Sequence, residues 1–294
     1  MNTPDTTHQK RNRNRRVMPF FGLSLGISVF SLSLLVVLPF AMMIVVTLNM
    51  SFKDIISTIS EPQVFFAIKL SLSMAILATL TNLIFGTLIA WVLVRYEFWG
   101  KSFINALVDL PFALPTAVTG IALATLYAPN GAFGQIFAKL SVALTGEPIK
   151  IAFTPIGIWL ALVVVSFPFI VRAVQPVLSE LSVEFEEAAA VMGATRLTTF
   201  IKVILPEIAP AMLIGAGMMF ARATGEYGSV IFIAGNIPMQ SEILPLIIVS
   251  KLEQFDVAGA SCVALFMLLL SLVVLFAINV AQWKLSARLG AKTN

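Results

Sequence analysis

Six long stretches of apolar residues alternate with shorter polar segments along this chain. Each stretch is at least as long as the roughly 20 residues that an α-helix needs to cross the hydrocarbon core of a membrane. The interval from Arg16 to Lys53 contains no ionisable side chain, and the fifth stretch is interrupted only by Arg222 and Glu226. We therefore predict an all-α polytopic membrane protein with six transmembrane helices, at about 20–48, 66–94, 104–128, 153–177, 209–234 and 257–282.

Composition supports a membrane protein, and it provides few of the residues on which enzymes usually depend for catalysis. Hydrophobic residues make up 59% of the 294 residues and charged residues only 12%, which is about half the charged content of a soluble protein. The single cysteine, Cys262, lies in the last apolar stretch, and the single histidine, His8, lies near the N-terminus. We expect no disulfide, metal site or catalytic residue, and we interpret Cys262 as a small packing residue.

The first residues, "MNTPDTTHQKRNRNRR", are polar and basic. A signal peptide also begins with a basic segment, but its apolar core is only about 7–15 residues long and ends at a cleavage site with small residues. The apolar run here is about twice that length and has no such site. We predict a basic tail at 1–17 and one membrane domain at 18–290 that keeps its first span.

The distribution of lysine and arginine predicts the orientation of the chain in the membrane. With six spans, thirteen of the 19 basic residues fall on the side of the two termini, five fall on the other side, and Arg222 lies within a span. Basic residues accumulate on the cytoplasmic side of membrane proteins. Both termini are therefore predicted to be cytoplasmic, and the net charge of +4 reflects topology, with no expectation of nucleic-acid binding.

A polar segment at 178–206 separates the fourth and fifth spans on the predicted cytoplasmic side. Its first part has the pattern of an amphipathic helix with an acidic face, and Gly193 then provides a bend, since glycine accepts left-handed backbone angles. A second helical pattern follows, and Pro206 either stops it or opens the next span. The segment is either a helix lying on the lipid surface or a docking site for another protein. Its acidic character favours docking, because lipid-surface helices are usually basic.

The same segment resembles a motif of the permease subunits of ABC importers, in which E-A-A is followed by G and later by L-P. The matching positions are Glu187, Ala188, Ala189, Gly193, Leu205 and Pro206. The resemblance implies a permease of the type I, MetI-like fold whose cytoplasmic loop carries the coupling helix. In this family that helix docks on a separate subunit that binds ATP and Mg²⁺ and hydrolyses ATP. The permease itself then has no cofactor and catalyses no reaction.

Two further blocks, at 96–131 and 225–256, extend the resemblance to the T-type permeases of bacterial sulfate/thiosulfate ABC importers. The similarity covers roughly 18–290. It implies sulfate import through the cell membrane, together with a second homologous permease, two ATP-binding subunits and a periplasmic sulfate/thiosulfate-binding protein. Permeases for molybdate, tungstate or another oxyanion belong to neighbouring branches and remain an alternative. Less favoured are an ion-coupled secondary transporter, which usually shows two related halves, and an intramembrane enzyme, which needs a catalytic constellation.

Four residues are candidates for the translocation pathway. Arg222 and Glu226 stand four residues apart within an apolar stretch, where charges are costly and usually functional. They form either a structural ion pair or part of an anion route. Thr116 and Thr119 follow the prolines that interrupt the third stretch, and they serve either helix packing or a water-filled cavity. The sequence "WGKS" at 99–102 lacks the first glycine of a phosphate-binding loop, so we expect no nucleotide site there.

Overall fold

The structure, a computed structural model, describes the backbone of residues 21–290 and the side chains of 21–144 and 146–285. The basic tail predicted at 1–17 lies outside the described residues. Within them, the chain forms twelve helices that are numbered here in chain order. They are α1 Phe21–Leu48, α2 Phe52–Ile59, α3 Pro62–Arg95, α4 Lys101–Ala113, α5 Thr116–Tyr127, α6 Ala132–Thr145, α7 Pro155–Glu180, α8 Glu184–Val191, α9 Arg196–Thr224, α10 Val230–Ala234, α11 Leu244–Glu253 and α12 Val257–Gly290.

Five of these helices, α1, α3, α7, α9 and α12, are long and apolar enough to cross a membrane. The third predicted span is different, because the chain bends by 111° between α4 and α5. The break lies at Leu114 and Pro115, and Pro115 cannot donate a backbone hydrogen bond. The third span predicted at 104–128 is therefore interrupted, as its prolines indicated, and the interruption lies at Pro115, while Pro111 lies inside α4. With the bent pair counted as one span, the described chain has six.

The two ends of the bent pair lie beside the two ends of its neighbour α7. Lys101, at the start of α4, lines the same pocket as Ser179 near the end of α7. At the other end of the pair, the Tyr127 carbonyl accepts a hydrogen bond from Ala152, just before α7 begins. The loop face of the bundle is defined here as the side that carries residues 181–195, where α3 and α7 end. Tyr127 and Ala152 lie towards the opposite face.

The fifth span begins and ends earlier than predicted. The sequence pattern placed it at 209–234, but α9 extends from Arg196 to Thr224. Pro206 opens the apolar part of α9, one of the two roles predicted for it, and it does not end the helix. Just before it, the Leu205 N–H bonds to the carbonyl of Phe200, five residues back. Pro206 has no N–H, so the carbonyl one turn before it loses its usual helical partner. The widened π-turn lets the helix continue past this proline.

Three helices, α3, α7 and α9, form the centre of the bundle. The Asn82 side-chain amide of α3 donates to the Val163 carbonyl at 2.9 Å and to the Ser166 hydroxyl at 3.0 Å, both on α7. One turn further along, a Cβ atom on Gly86 would overlap the side chain of Ile170. The missing side chain of Gly86 lets α3 and α7 approach closely, so these two helices form one tightly joined pair.

The buried side chains divide into clusters at different heights. A cluster in the half towards the opposite face includes Ile158, Phe220 and Val230, while one in the half towards the loop face includes Ile170 and Met219. The last turn of α9, which follows Phe220, therefore lies near the middle of the bundle. Cys262 is buried, at 2% exposure, which confirms its interpretation as a packing residue.

Candidate functional site

The polar segment between α7 and α9 forms a short helix followed by a tight turn. Gly193 has a φ of +80°, which confirms the predicted left-handed bend. The Ala194 N–H bonds to the Ala189 carbonyl at 3.0 Å, so the turn also closes the C-terminal end of α8. Thr195 then begins α9, since its hydroxyl accepts from the Thr198 N–H. The segment thus forms a corner at the loop face, in which α8 is followed by the turn at Gly193 and the start of α9.

The exposed surface of this corner combines apolar and acidic side chains. Val191 and Met192 are 89% and 82% exposed, although apolar side chains of this size are usually buried in the absence of a partner. Exposed acidic residues lie on the same short helix, at Glu184 and Glu187. We define the corner surface as the exposed residues Glu184, Phe185, Glu187, Ala188, Val191, Met192 and Gly193.

The six residues that match the importer motif occupy two different places. Glu187, Ala188 and Gly193 lie on the corner surface. The resemblance places Ala189 in the docking helix together with Ala188, but Ala189 is only 3% exposed, so a partner on the corner surface cannot reach it. Ala189 instead lets α8 pack closely on its own chain. Leu205 and Pro206 are half-buried within α9, where the π-turn and the proline shape the helix and lie away from the corner surface.

The charged pair at the end of α9 is present, but its geometry differs from the prediction. The Arg222 Nη1 atom lies 2.5 Å from the Glu226 Oε2 atom. However, α9 ends at Thr224, so Glu226 lies in the following loop and not on the same helix. The other carboxylate oxygen, Oε1, accepts from the backbone N–H and the hydroxyl of Ser229, at 2.8 and 2.9 Å. The carboxylate is 1% exposed and has hydrogen-bond donors on both oxygens.

The two predicted threonines lie beside this loop. Thr119 is buried in α5, and Thr116 is half-buried at the start of the same helix. A Cβ atom on Gly228 would overlap the Thr116 hydroxyl, and one on Gly120 would overlap the Ser229 backbone. The structure thus brings all four candidate pathway residues into one cluster near the middle of the bundle, where the break between α4 and α5 faces the end of α9.

Two polar contacts at the loop-face end of the bundle were not predicted. Arg172 lies within α7 and forms an ion pair with Asp109 of α4, its Nε atom 2.7 Å from Asp109 Oδ1. Arg95, at the end of α3, forms an ion pair with Glu186 of α8 at 2.7 Å. Each arginine flanks an apolar run, and this was the only signal that placed them near the membrane boundary. Their acidic partners are 63 and 91 residues away in sequence.

Residues 82–289 match the family model of the binding-protein-dependent transport system inner membrane component. The matched stretch contains the corner surface, the bent pair and the charged cluster. The chain belongs to this family. It is 45% identical over 275 residues to the sulfate transport system permease proteins CysT of Salmonella typhimurium (strain LT2) and Escherichia coli (strain K12), covering 94% of this chain and 97% of each relative. A probable sulfate transport system permease protein cysT from Nephroselmis olivacea is 43% identical over 270 residues, covering 92% of this chain and 91% of that one.

Solved structures show that this permease has the expected fold. It is similar, with a TM-score of 0.73 and 15% identity, to a chain of a bacterial ABC transporter involved in the import of the acidic polysaccharide alginate, covering 90% of this chain and 94% of that one. It is also similar to a chain of the MetNI methionine ABC transporter in an inward-facing conformation, with a TM-score of 0.52 and 18% identity, covering 77% and 99%. The predicted MetI-like permease fold is thereby confirmed.

Proposed function

We propose that this permease is one of the two membrane-spanning subunits of an ATP-driven importer that carries sulfate, and also thiosulfate, into the cytoplasm by alternating access. It would pair with a second, homologous permease, two ATP-binding subunits and a periplasmic sulfate/thiosulfate-binding protein. The single observation that carries the proposal is the 45% identity to two sulfate transport system permeases over 94% of the chain. An identity of this size over nearly the full length includes the loops at both faces as well as the bundle.

We further propose that the corner surface docks on the ATP-binding subunit. Its mixture of exposed apolar and acidic side chains suits a groove with an apolar floor and basic walls on another protein. The alternative is a helix lying on lipid, which would place Glu184 and Glu187 against an anionic membrane surface. ATP and Mg²⁺ would be bound by the partner, and this chain would convert the partner's closure into movement of its spans.

The cluster around Glu226 is the proposed place where that movement opens and closes the pathway. Near the middle of the bundle, the break between α4 and α5 and the loop after α9 replace continuous helix with backbone that can rearrange. Irregular backbone at this depth is tolerated where it is covered by protein or lines a cavity. The guanidinium of Arg222, whose side chain is one-third exposed, supplies a cation beside that region. A passing oxyanion would compete with Glu226 for it.

Uptake of radiolabelled sulfate by vesicles that contain the complete importer tests the proposal. We expect uptake to require ATP and the binding protein and to be inhibited by unlabelled thiosulfate more strongly than by molybdate. Inhibition mainly by molybdate or tungstate would assign the permease to that branch of oxyanion importers. Sulfate uptake that continues without the ATP-binding subunits would contradict the proposal and support an ion-coupled secondary transporter.

A further inference from the structure

One arginine joins the corner to the bundle. Arg95 is the last residue of α3, and its Nε atom donates to the Glu186 carboxylate of α8 at 2.7 Å. Its Nη2 atom donates to the Leu181 carbonyl, directly after α7, at 2.9 Å. The side chains of Arg95 and Glu186 are only 11% and 23% exposed. The guanidinium therefore links the ends of α3 and α7 to the short helix α8, and it is partly shielded from water and from salt.

The corner has few other contacts with α3. A pocket of about 320 Å³ separates α8 from the last turns of α3, and Trp91, Arg95, Glu186 and Arg196 are among the residues that line it. Trp91 packs instead against Phe200 of α9, with ring centroids 5.3 Å apart, and its Nε1 atom has no hydrogen-bond partner among the described residues. Within the described part of the chain, the pair between Arg95 and Glu186 is the only ion pair that α8 makes.

Helix α3 connects this contact to the other side of the bundle. It is joined to α7 by Asn82 at mid-height, as described above. Near its first turns, Ser71 accepts a hydrogen bond from the Leu244 N–H at 2.9 Å, and Gln63 donates to the Glu242 carboxylate at 2.6 Å. Glu242 lies in the segment between α10 and α11, which follows the loop containing Glu226, and Leu244 is the first residue of α11. Helix α3 therefore spans the distance between the contact at Arg95 and these contacts at the opposite face.

We propose that Arg95 and Glu186 are positioning residues that transmit displacement of α8 to α3, and through α3 to the segment around Glu242 and Leu244. The inference rests on the proposed function, because α8 needs an external subunit to displace it. The pocket leaves no continuous apolar packing between α8 and α3 to carry a push or a pull. The ion pair carries it in both directions, since a partly buried, hydrogen-bonded pair resists separation as well as compression.

Charge reversal tests this role. The variants are Arg95→Glu, Glu186→Arg and the double variant that exchanges the two charges. The matched control is Glu97→Lys, which breaks the pair between Glu97 and Lys101, also 2.7 Å long and next to the same end of α3, without touching α8. For each variant, the reconstituted importer is assayed for recovered complex, ATP hydrolysis and radiolabelled sulfate taken up per ATP hydrolysed. Amide hydrogen exchange at 184–191 is measured on the permease itself.

Each single reversal should lower sulfate uptake per ATP by about tenfold, within the usual range of coupling free energies. Recovered complex and basal hydrolysis should stay near the wild-type values. Hydrogen exchange at 184–191 should rise, the double variant should recover part of both effects, and Glu97→Lys should match the wild type. Recovery will be incomplete, because a glutamate at position 95 cannot donate to the Leu181 carbonyl.

Two results would overturn the inference. In the first, both single reversals keep the wild-type uptake per ATP and the wild-type exchange at 184–191. In the second, uptake, hydrolysis and recovered complex all fall in the same proportion, which marks a contact needed only for folding. A wild-type complex that takes up no sulfate would instead contradict the proposed function, and the exchange at 184–191 would still show whether the pair anchors α8.

Discussion

At the scale of single residues, Glu226 shows how this permease keeps a charge inside an apolar bundle. Its carboxylate is 1% exposed and is bound by Arg222 and by both donors of Ser229. A buried carboxylate without such partners would cost several kcal/mol. The ion pair occupies only one carboxylate oxygen, so the loop that brings Ser229 to the other oxygen is also needed to stabilise the buried charge.

Removal of one partner should therefore harm the protein more than removal of both. Arg222→Gln leaves a fully buried anion without its cation, and we expect a loss of about 3 kcal/mol in the free energy of unfolding. Glu226→Gln leaves Arg222 unpaired, but Arg222 is one-third exposed and can reach water. The loss in the free energy of unfolding should therefore be smaller for Glu226→Gln. The double variant should be more stable than Arg222→Gln. Thermal unfolding of the purified permease in detergent measures the order.

If the double variant is no more stable than Arg222→Gln, the two residues act independently and the pair is not the reason for their burial.

Part of the geometry of this charged pair was predictable. The four-residue spacing of Arg222 and Glu226 predicted the contact correctly, since neighbours at this spacing meet in a helix and in its last turn. The role of Ser229 was not predictable, because it depends on a helix end that a distant helix, α5, helps to position.

At the scale of elements, close backbone packing sets the position of the loop after α9. Gly120 on α5 lies against the Ser229 backbone, and Gly228 lies against Thr116. Small residues at such contacts let segments approach closely within a membrane, where no hydrophobic driving force between helices is available. The bend of 111° between α4 and α5 brings α5 across to this loop.

A methyl group at Gly120 should separate these segments. Gly120→Ala would collide with the Ser229 backbone, and overpacking of this kind costs about 1–3 kcal/mol. Gly217→Ala on α9 is the matched control, since its new Cβ atom would meet only Ile278 and Leu275 at ordinary distances of 3.6 and 3.8 Å. We expect lower thermal stability and lower sulfate uptake for Gly120→Ala only, because alanine in a helix is otherwise favourable. Equal behaviour of the two variants would contradict the packing described here.

Helix boundaries were the least predictable part of the fold. Apolar periodicity located six spans, because the thickness of the membrane imposes length and composition directly on the sequence. It placed the fifth span about ten residues too late, because Pro206 looks like a boundary and the π-turn that accommodates it has no composition signal. The prolines of the third stretch indicated its interruption, but the size of the bend was not predictable, since the apolar run continues through Leu114.

At the scale of the whole molecule, the basic residues predict which face meets the cytoplasm. The loop face carries the ends of α3 and α7 together with the corner, and it includes Arg95 and Arg196. A reporter fused after Asn294 or inserted within 181–195 should therefore behave as cytoplasmic, and one inserted within 130–150 as external. Paired fusions to a fluorescent protein and to alkaline phosphatase measure this. An external C-terminus would contradict the six-span topology.

The central claim is that the ATP-binding subunit docks on the corner surface and moves the spans through it. A substitution at Gly193 tests this claim most directly. The φ of +80° at this residue disfavours a β-branched side chain by about 1–2 kcal/mol, so Gly193→Val should strain the turn and tilt α8. Gly146→Val is the matched control, because Gly146 has a φ of +83° at the end of α6 and, like Gly193, no atom within 4 Å of an added Cβ.

The decisive measurement is ATP-dependent sulfate uptake by reconstituted importers that contain either variant. Our account predicts that the Gly193→Val importer assembles, binds its periplasmic protein and hydrolyses ATP at the basal rate. It should nevertheless take up no sulfate, and its hydrolysis should no longer respond to the loaded binding protein. The Gly146→Val importer should transport like the wild type. Wild-type uptake by the Gly193→Val importer would contradict the account, and α8 would then be interpreted as a helix on the lipid surface.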